Sequence, residues 1–281
     1  VISISWSANA ARPFPASRIE ADMPGTIEKP AIYPSLKGRV VFITGGGSGI
    51  GESLVEHFSA QGAKVAFVDV AEAPSRALVD RIAAKGDAKP LFMPCDLRRI
   101  EDLRACIDTV RRDVGPIRVL VNNAGNDDRH ATADVTVDYW DDRMAVNLRH
   151  QFFAAQAVRP QMRDAGGGSI INFGSITWLV GDPDCPAYVT AKAAVTGLTR
   201  ALARELGPER IRVNCMLPGW VMTERQMKLW LTPEGEKQID ERQCLKDRLQ
   251  PDDIARMALF LAADDSRMCS SQQFIVDGGW V

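Results

Sequence analysis

Short apolar runs rich in β-branched residues punctuate the chain from Leu36 onward. They are Val40 to Thr44, Val65 to Val70, Leu91 to Pro94, Val119 to Asn122, Ile170 to Phe173, Ile211 to Cys215 and Phe274 to Val276. Runs without polar alternation read as strands buried on both faces, the habit of parallel sheets. Between them apolar positions recur at helical spacing, over Ile50 to Gln61, Ile100 to Asp113, Trp140 to Arg163 and Pro186 to Leu206. Parallel neighbours need crossovers, and helices supply them on both faces of a sheet. The pattern predicts one α/β domain over residues 36–281, a doubly wound Rossmann-type fold with a parallel sheet of about seven strands.

Two stretches break this rhythm. Residues 1–35 are rich in Ser, Pro and Ala and show neither period, which predicts a disordered tail. The tail lacks the basic start and apolar centre of a secretory signal, and Glu20 and Asp22 argue against a transit peptide. The chain begins at Val1, with Met23 as an alternative natural start. Residues 222–250 are polar and long, in the position where an α/β enzyme carries a mobile lid.

Composition narrows the function. The 281 residues carry 34 basic and 36 acidic side chains, a net charge of −2, with no run of like charge. That balance speaks against nucleic acid or an anionic membrane as partner. No apolar stretch approaches the roughly 18 residues that span a bilayer. The six cysteines are scattered without C-x-x-C spacing, and the three histidines form no H-E-x-x-H pattern, so no metal is expected. Reduced thiols fit a cytoplasmic protein.

The chemistry begins at Thr44-Gly45-Gly46-Gly47-Ser48-Gly49-Ile50-Gly51, which follows the first strand and opens the first helix. Glycines there let a pyrophosphate approach backbone N–H groups at a helix N-terminus. The spacing does not fit G-x-G-x-x-G. A P-loop from Gly46 to Gly51 fails because Glu52 stands where the lysine belongs. The pattern that fits is T-G-x-x-x-G-x-G, with Gly45, Ser48, Gly49, Ile50 and Gly51 as cofactor contacts. Through this turn and the motifs that follow it in order, the chain from about Leu36 onward resembles the short-chain dehydrogenase/reductase family.

The resemblance assigns further roles. Asp69 ends the second strand, where an acid hydrogen-bonds the adenosine ribose; its charge would meet a 2′-phosphate, so NAD is expected over NADP. Asp96 and Leu97 resemble the family's adenine-contacting pair, although Asp96 could instead cap the next helix. Asn122-Asn123-Ala124-Gly125 resembles the N-N-A-G segment that steadies the sheet and borders the cofactor through Asn123, Ala124 and Gly125. After the sixth strand, Pro218, Gly219, Val221 and Thr223 match the family's P-G segment beside the nicotinamide and phosphates.

Tyr188 and Lys192 form Y-x-x-x-K, whose spacing puts both side chains on one helix face. Ser175 lies thirteen residues before Tyr188 and Asn147 lies in the long preceding helix, so the implied tetrad is Asn147, Ser175, Tyr188 and Lys192. Such an enzyme passes hydride from a carbinol to the nicotinamide while a base takes the hydroxyl proton. Free tyrosine is a poor base near neutrality, and a neighbouring ammonium favours its phenolate. The resemblance gives Lys192 the nicotinamide ribose, Ser175 the reacting oxygen and Asn147 a water in a proton relay.

Local strings narrow the substrate. Asn126-Asp127-Asp128-Arg129-His130, the segment around Ser175 to Trp178, Thr232 to Glu236 and Gln243 to Lys246 resemble the family's bacterial aldose 1-dehydrogenases, the D-xylose and L-arabinose enzymes. D-galactose and L-fucose stand behind that pair. Asp127, Arg129 and Gln226 suit a substrate of many hydroxyls. Trp178 could stack on a pyranose or simply pack, and Asp127 with Arg129 could be a surface ion pair. Trp220, Trp230 and His130 are weaker candidates. A carbonyl reductase such as a 3-oxoacyl reductase is the alternative enzyme. An NAD-sensing binding protein on the same fold should have lost part of the tetrad. The resemblance also implies a homotetramer, assembled through the Trp140–Arg163 and Pro186–Leu206 helices.

Overall fold

All seven predicted strands form, and none of their ends moves by more than three residues. In the computed structural model, which describes residues 30–281, they are β1 Val40–Thr44, β2 Lys64–Asp69, β3 Leu91–Pro94, β4 Ile117–Asn122, β5 Gly168–Phe173, β6 Ile211–Pro218 and β7 Gln273–Val276. They make one sheet in the order β3-β2-β1-β4-β5-β6-β7. Every pairing is parallel. The seven-stranded Rossmann-type architecture follows from strands that are apolar on both sides. In β1, Val41 and Ile43 face one core layer while Val40 and Phe42 face the other.

Helices cover both faces. On one side lie α1 (Gly49–Ala60), α2 (Glu72–Ala84) and α10 (Pro251–Ala262), which bury Leu54, Phe58, Leu78, Ile82 and Leu259. On the other lie α3 (Ile100–Asp113), α5 (His150–Asp164) and α7 (Pro186–Leu206), which bury Leu103, Ile107, Val158 and Leu202. Short helices α4 (Val137–Met144), α6 (Thr177–Val180), α8 (Glu224–Leu229) and α9 (Pro233–Arg242) complete the set.

Three expectations need correction. The helix predicted over Trp140 to Arg163 is not continuous: α4 and α5 are joined by a π turn, Ala145–Arg149. One extra residue per turn there swings Asn147 out of α-helical register, a distortion common at functional sites. The tail predicted for residues 1–35 lies, up to residue 29, outside the described residues. Its last part is tied to the domain, because Tyr33 donates its N–H to Gln61 Oε1 at 2.8 Å and Pro34–Leu36 forms a 3₁₀ turn. Asp96 does not cap α3, whose N-cap is Arg99; it accepts the N–H and guanidinium of Arg98 instead.

The expected lid, residues 222–250, carries α8 and α9. Each is started by a threonine hydroxyl, Thr223 accepting from Gln226 N–H and Thr232 from Gly235 N–H. The two ends of this segment meet where Met222 N–H donates to the Leu249 carbonyl at 2.8 Å. Among the described residues no helix is long and apolar enough to cross a membrane, and no cluster of His, Cys, Asp or Glu could hold a metal ion.

Candidate active site

Strand order reverses between β1 and β4, and at such a point the loops leaving neighbouring strands part to leave a crevice at their carboxyl ends. A cleft of 1760 Å³ opens there. Its lining includes every residue expected at the cofactor, from Gly45 and Ser48–Gly51 through Asp69, Asp96, Leu97 and Asn123–Gly125 to Pro218, Gly219, Val221 and Thr223. It also includes Ser175, Tyr188, Lys192, Asp127, Arg129 and Gln226, but neither Asn147 nor Trp178.

The glycine turn is shaped by contacts that a side chain would destroy. A Cβ on Gly51 would fall 1.7 Å from the Gly45 carbonyl oxygen, and Gly45 itself holds φ +69° with Ala124 Cα 2.8 Å from where its Cβ would be. Asn123 Nδ2 donates to the carbonyls of Thr44 and Gly45, and Ala124 N–H to the Thr44 hydroxyl, so the N-N-A-G segment holds the turn in place. Ser48 is the N-cap of α1, yet its hydroxyl caps none of the helix amides. The first-turn N–H groups of α1 therefore face the cleft as donors for an anion. At the end of β2, Asp69 accepts from Gly47 N–H and Ala71 N–H, both at 2.8 Å, one on each carboxylate oxygen. That leaves each oxygen a further lone pair for a ribose hydroxyl. These residues fit a nicotinamide adenine dinucleotide.

The four residues expected as a tetrad come from three elements. Ser175 follows β5, Tyr188 and Lys192 share one face of α7, and Asn147 sits in the π turn. Lys192 is buried, and its Nζ donates to the Phe173 carbonyl at 2.9 Å while lying 5.5 Å from the Tyr188 ring centre. Gly125 lets the loop after β4 approach: a Cβ there would lie 3.1 Å from Lys192 Nζ and 3.2 Å from Asn147 Oδ1. Asn147 spends its amide on that loop, accepting from Asn126 N–H at 2.7 Å and donating to the carbonyls of Asn126 and Arg143. Its main-chain carbonyl accepts from the buried Gln151 amide at 3.2 Å. Gln151 also reaches the Phe173 carbonyl that grips Lys192, a link that no spacing rule announced.

The electrostatics differ from the sequence expectation. Burial, then the Asp127 carboxylate, push the Tyr188 phenol above its ordinary value, while the Ser175 hydroxyl and Arg129 pull it down. Lys192 is itself lowered to about 8, because burial penalises its charge. The protein's own groups thus favour the neutral phenol, while Lys192 keeps most of its charge near neutral pH and lies as a cation 5.5 Å from the ring centre.

Substrate candidates divide. Gln226 Nε2 donates to Asp127 Oδ2 at 2.6 Å, joining the lid to the loop after β4, and Arg225 reaches Asp127, Asn126 and Asp128 from the same turn. Arg129 does not pair with Asp127: it binds Asp182 at 2.7 Å and lies over the Trp230 face at 5.4 Å, within the cleft lining. Trp178 packs beside Ile176, Val195, Cys215 and Leu217 instead of facing the cleft, because α6 turns its ring toward that cluster. His130 packs against Tyr139 and bonds its hydroxyl, the Asp128 carbonyl in its own loop and the Ala187 N–H at the start of α7. Trp220, Trp230 and Trp280 line the cleft instead. Trp280 lies beyond the last strand, where no periodicity marks it.

Residues 45–281 match a family model described as Enoyl-(Acyl carrier protein) reductase. The chain is 54% identical over 250 residues to a D-xylose 1-dehydrogenase of Caulobacter vibrioides, covering 89% of this chain and 98% of that one. It is 52% identical over 247 residues to a "Probable galactose dehydrogenase GalD" of Rhizobium meliloti, covering 88% and 96%. A solved 7α-hydroxysteroid dehydrogenase, complexed with NADH and 7-oxo glycochenodeoxycholic acid, superposes with a TM-score of 0.84 at 31% identity, covering 88% and 96%. With the glycine turn, the N-N-A-G clamp and the Ser175–Tyr188–Lys192 face in place, the chain belongs to the short-chain dehydrogenase/reductase family, whose members use NAD(P).

Proposed function

We propose that the protein is an NAD-dependent aldose 1-dehydrogenase that oxidises C1 of a pyranose to the 1,5-lactone. The observation that carries this reading is the Asp127–Gln226 pair, two hydroxyl-binding groups in the cleft with Asp127 close enough to shift the Tyr188 phenol. The two sugar-dehydrogenase relatives, each more than half identical along nearly their whole length, support it. An acyl substrate, which the family model's description names, would want an apolar rim where this chain has a carboxylate.

Bound NAD supplies the acceptor for the hydride that leaves C1. Ser175 holds the anomeric oxygen by a hydrogen bond, and the Tyr188 phenolate takes the proton from that hydroxyl as the C–H bond breaks. Lys192, fixed by the Phe173 carbonyl, holds the nicotinamide ribose and offers its charge to the phenolate. Asn147 fixes the loop that carries Asp127. Sugar and NAD+ thereby become lactone, NADH and a proton, which Tyr188 holds until solvent takes it and the phenolate is restored, and water later opens the lactone to the aldonic acid.

Asp69 supports NAD over NADP, since its carboxylate stands where a 2′-phosphate would lie. The relatives favour D-xylose and galactose over L-arabinose and L-fucose. An apolar groove on α4, α5 and α7, with Met144, Leu148 and Phe152 among its lining residues, supports the homotetramer proposed for these helices. All six thiols are free, which suits the cytoplasm.

The test is a panel of aldopentoses and aldohexoses with NAD, read by NADH absorbance. Turnover of D-xylose or D-galactose is expected. No turnover of any aldose discards the sugar reading and leaves the dehydrogenase assignment standing.

A further inference from the structure

The segment that follows β7 is held more tightly than a surface turn requires. Asp277 is buried, and its two carboxylate oxygens accept from Gly279 N–H at 2.8 Å and Val281 N–H at 3.0 Å. Gly278 and Gly279 take left-handed φ values of +67° and +82°, a shape that a side chain would strain. Their carbonyls accept from Leu245 N–H and Cys244 N–H, the residues that leave the lid helix α9. A Cβ on Gly278 would fall 2.6 Å from the buried Gln243 side chain, and one on Gly279 would fall 2.8 Å from Cys244 Cβ. On the other side, a Cβ on Gly219 would lie 2.7 Å from Asp277 Cα, so the segment also rests on the P-G turn after β6. A buried carboxylate, two left-handed glycines and two backbone bonds fix one thing, the position of Trp280.

Trp280 lines the cleft. Its ring packs on the cluster of Ile176, Val195, Cys215 and Leu217, and Ile176 adjoins the catalytic Ser175. Its centroid lies 6.4 Å from that of Trp220. Of the other tryptophans at the cleft, Trp230 has a face covered by Arg129, and Trp220 is backed by the lid, where a Cβ on Gly235 would touch its ring edge at 2.9 Å. The indole nitrogens of Trp220, Trp230 and Trp280 are buried and have no acceptor among the described residues. Aromatic walls with a few placed polar groups are how small-molecule sites combine affinity with orientation.

We propose that Trp280 is a substrate-binding residue, and that with Trp220 it forms an aromatic wall for the C–H face of the pyranose whose hydroxyls bind Asp127 and Gln226. A pyranose is amphipathic in the same sense: its equatorial hydroxyls form a polar rim and its axial hydrogens an apolar face. The wall and the Asp127–Gln226 pair meet both halves. Because the segment 277–281 is hydrogen-bonded to Cys244 and Leu245, movement of the segment 222–250 is coupled to the position of this wall. The proposal rests on the aldose reading.

The test compares Trp280→Ala and Trp280→Phe with the wild type on its best aldose. Trp280→Ala is expected to raise KM for the sugar about tenfold, well beyond any change in the NADH dissociation constant from fluorescence titration. Trp280→Phe should recover most of the affinity. A KM within twofold of wild type in Trp280→Ala, or a loss of NADH affinity that parallels the loss of sugar affinity, overturns the proposal. A wild type that oxidises no aldose overturns the reading beneath it, whereas an active wild type with an indifferent Trp280→Ala overturns this proposal alone.

Discussion

Lys192 holds its ammonium 5.5 Å from the centre of the Tyr188 ring and anchors it on the Phe173 carbonyl. One helix, α7, therefore fixes the distance between Tyr188, the proposed base, and its charged neighbour, and one strand end, that of β5, fixes the lysine against the sheet. Tyr188→Phe keeps the ring and its packing and removes only the hydroxyl. Turnover should fall at least about a thousandfold, while NADH titrated by fluorescence binds within twofold of wild type. Normal turnover would remove Tyr188 from the role of base.

The charges around the phenol give an opposed pair of pH shifts. Asp127 raises the Tyr188 pKa and Arg129 lowers it, and oxidation needs the ionised base, so the rate rises with pH through that pKa. Asp127→Asn should move the rising limb of the kcat/KM profile to lower pH. Arg129→Ala should move it to higher pH. Shifts in the same direction, or none, would contradict the electrostatic assignment. The sugar's KM reports separately whether Asp127 also binds hydroxyls.

Asp69 is the residue proposed to favour NAD over NADP. Its carboxylate already holds the Gly47 and Ala71 amides, so its place is fixed before any dinucleotide arrives. Asp69→Ala should lower kcat/KM for NAD and raise it for NADP, shrinking the NAD:NADP ratio by about tenfold or more. An unchanged ratio would place the discrimination elsewhere.

His150 ties stability to pH. It is fully buried in α5, and burial together with the Lys192 charge lowers its pKa to about 3, against about 6.5 in an unfolded chain. Between those values the unfolded chain binds a proton that the native state refuses. Stability is thus full above about pH 6.5 and falls as pH drops toward 3, by up to ~1.4 kcal/mol per unit from this residue. Urea unfolding of His150→Gln at several pH values should show a shallower acid slope than wild type. Equal slopes would mean that His150 is not the titrating group.

Much of this was legible in the residues themselves. The β-branched runs predicted every strand because a sheet covered on both faces tolerates no polar alternation. The glycine turn and Y-x-x-x-K face could be read because each needs fixed residue types at fixed spacing. The π turn could not be read, since nothing local in Ala145 to Arg149 separates a π turn from a continuing α-helix. Trp178 and Trp280 failed in opposite ways for one reason. Which way a ring faces depends on the tertiary contacts of α6 and of the Asp277 turn, and neither leaves a local pattern. Gln151 and Arg225 act through partners distant in sequence, so no spacing rule finds them.

The most direct measurement is oxidation of D-[1-²H]xylose with NAD, following NADH formation and the fate of the label by NMR. The proposed chemistry transfers the C1 deuterium to C4 of the reduced nicotinamide, slows turnover when hydride transfer is rate-limiting, and yields the 1,5-lactone. Deuterium retained in the sugar product while NADH forms would show oxidation at another carbon and contradict the assignment of C1 to the Tyr188 site.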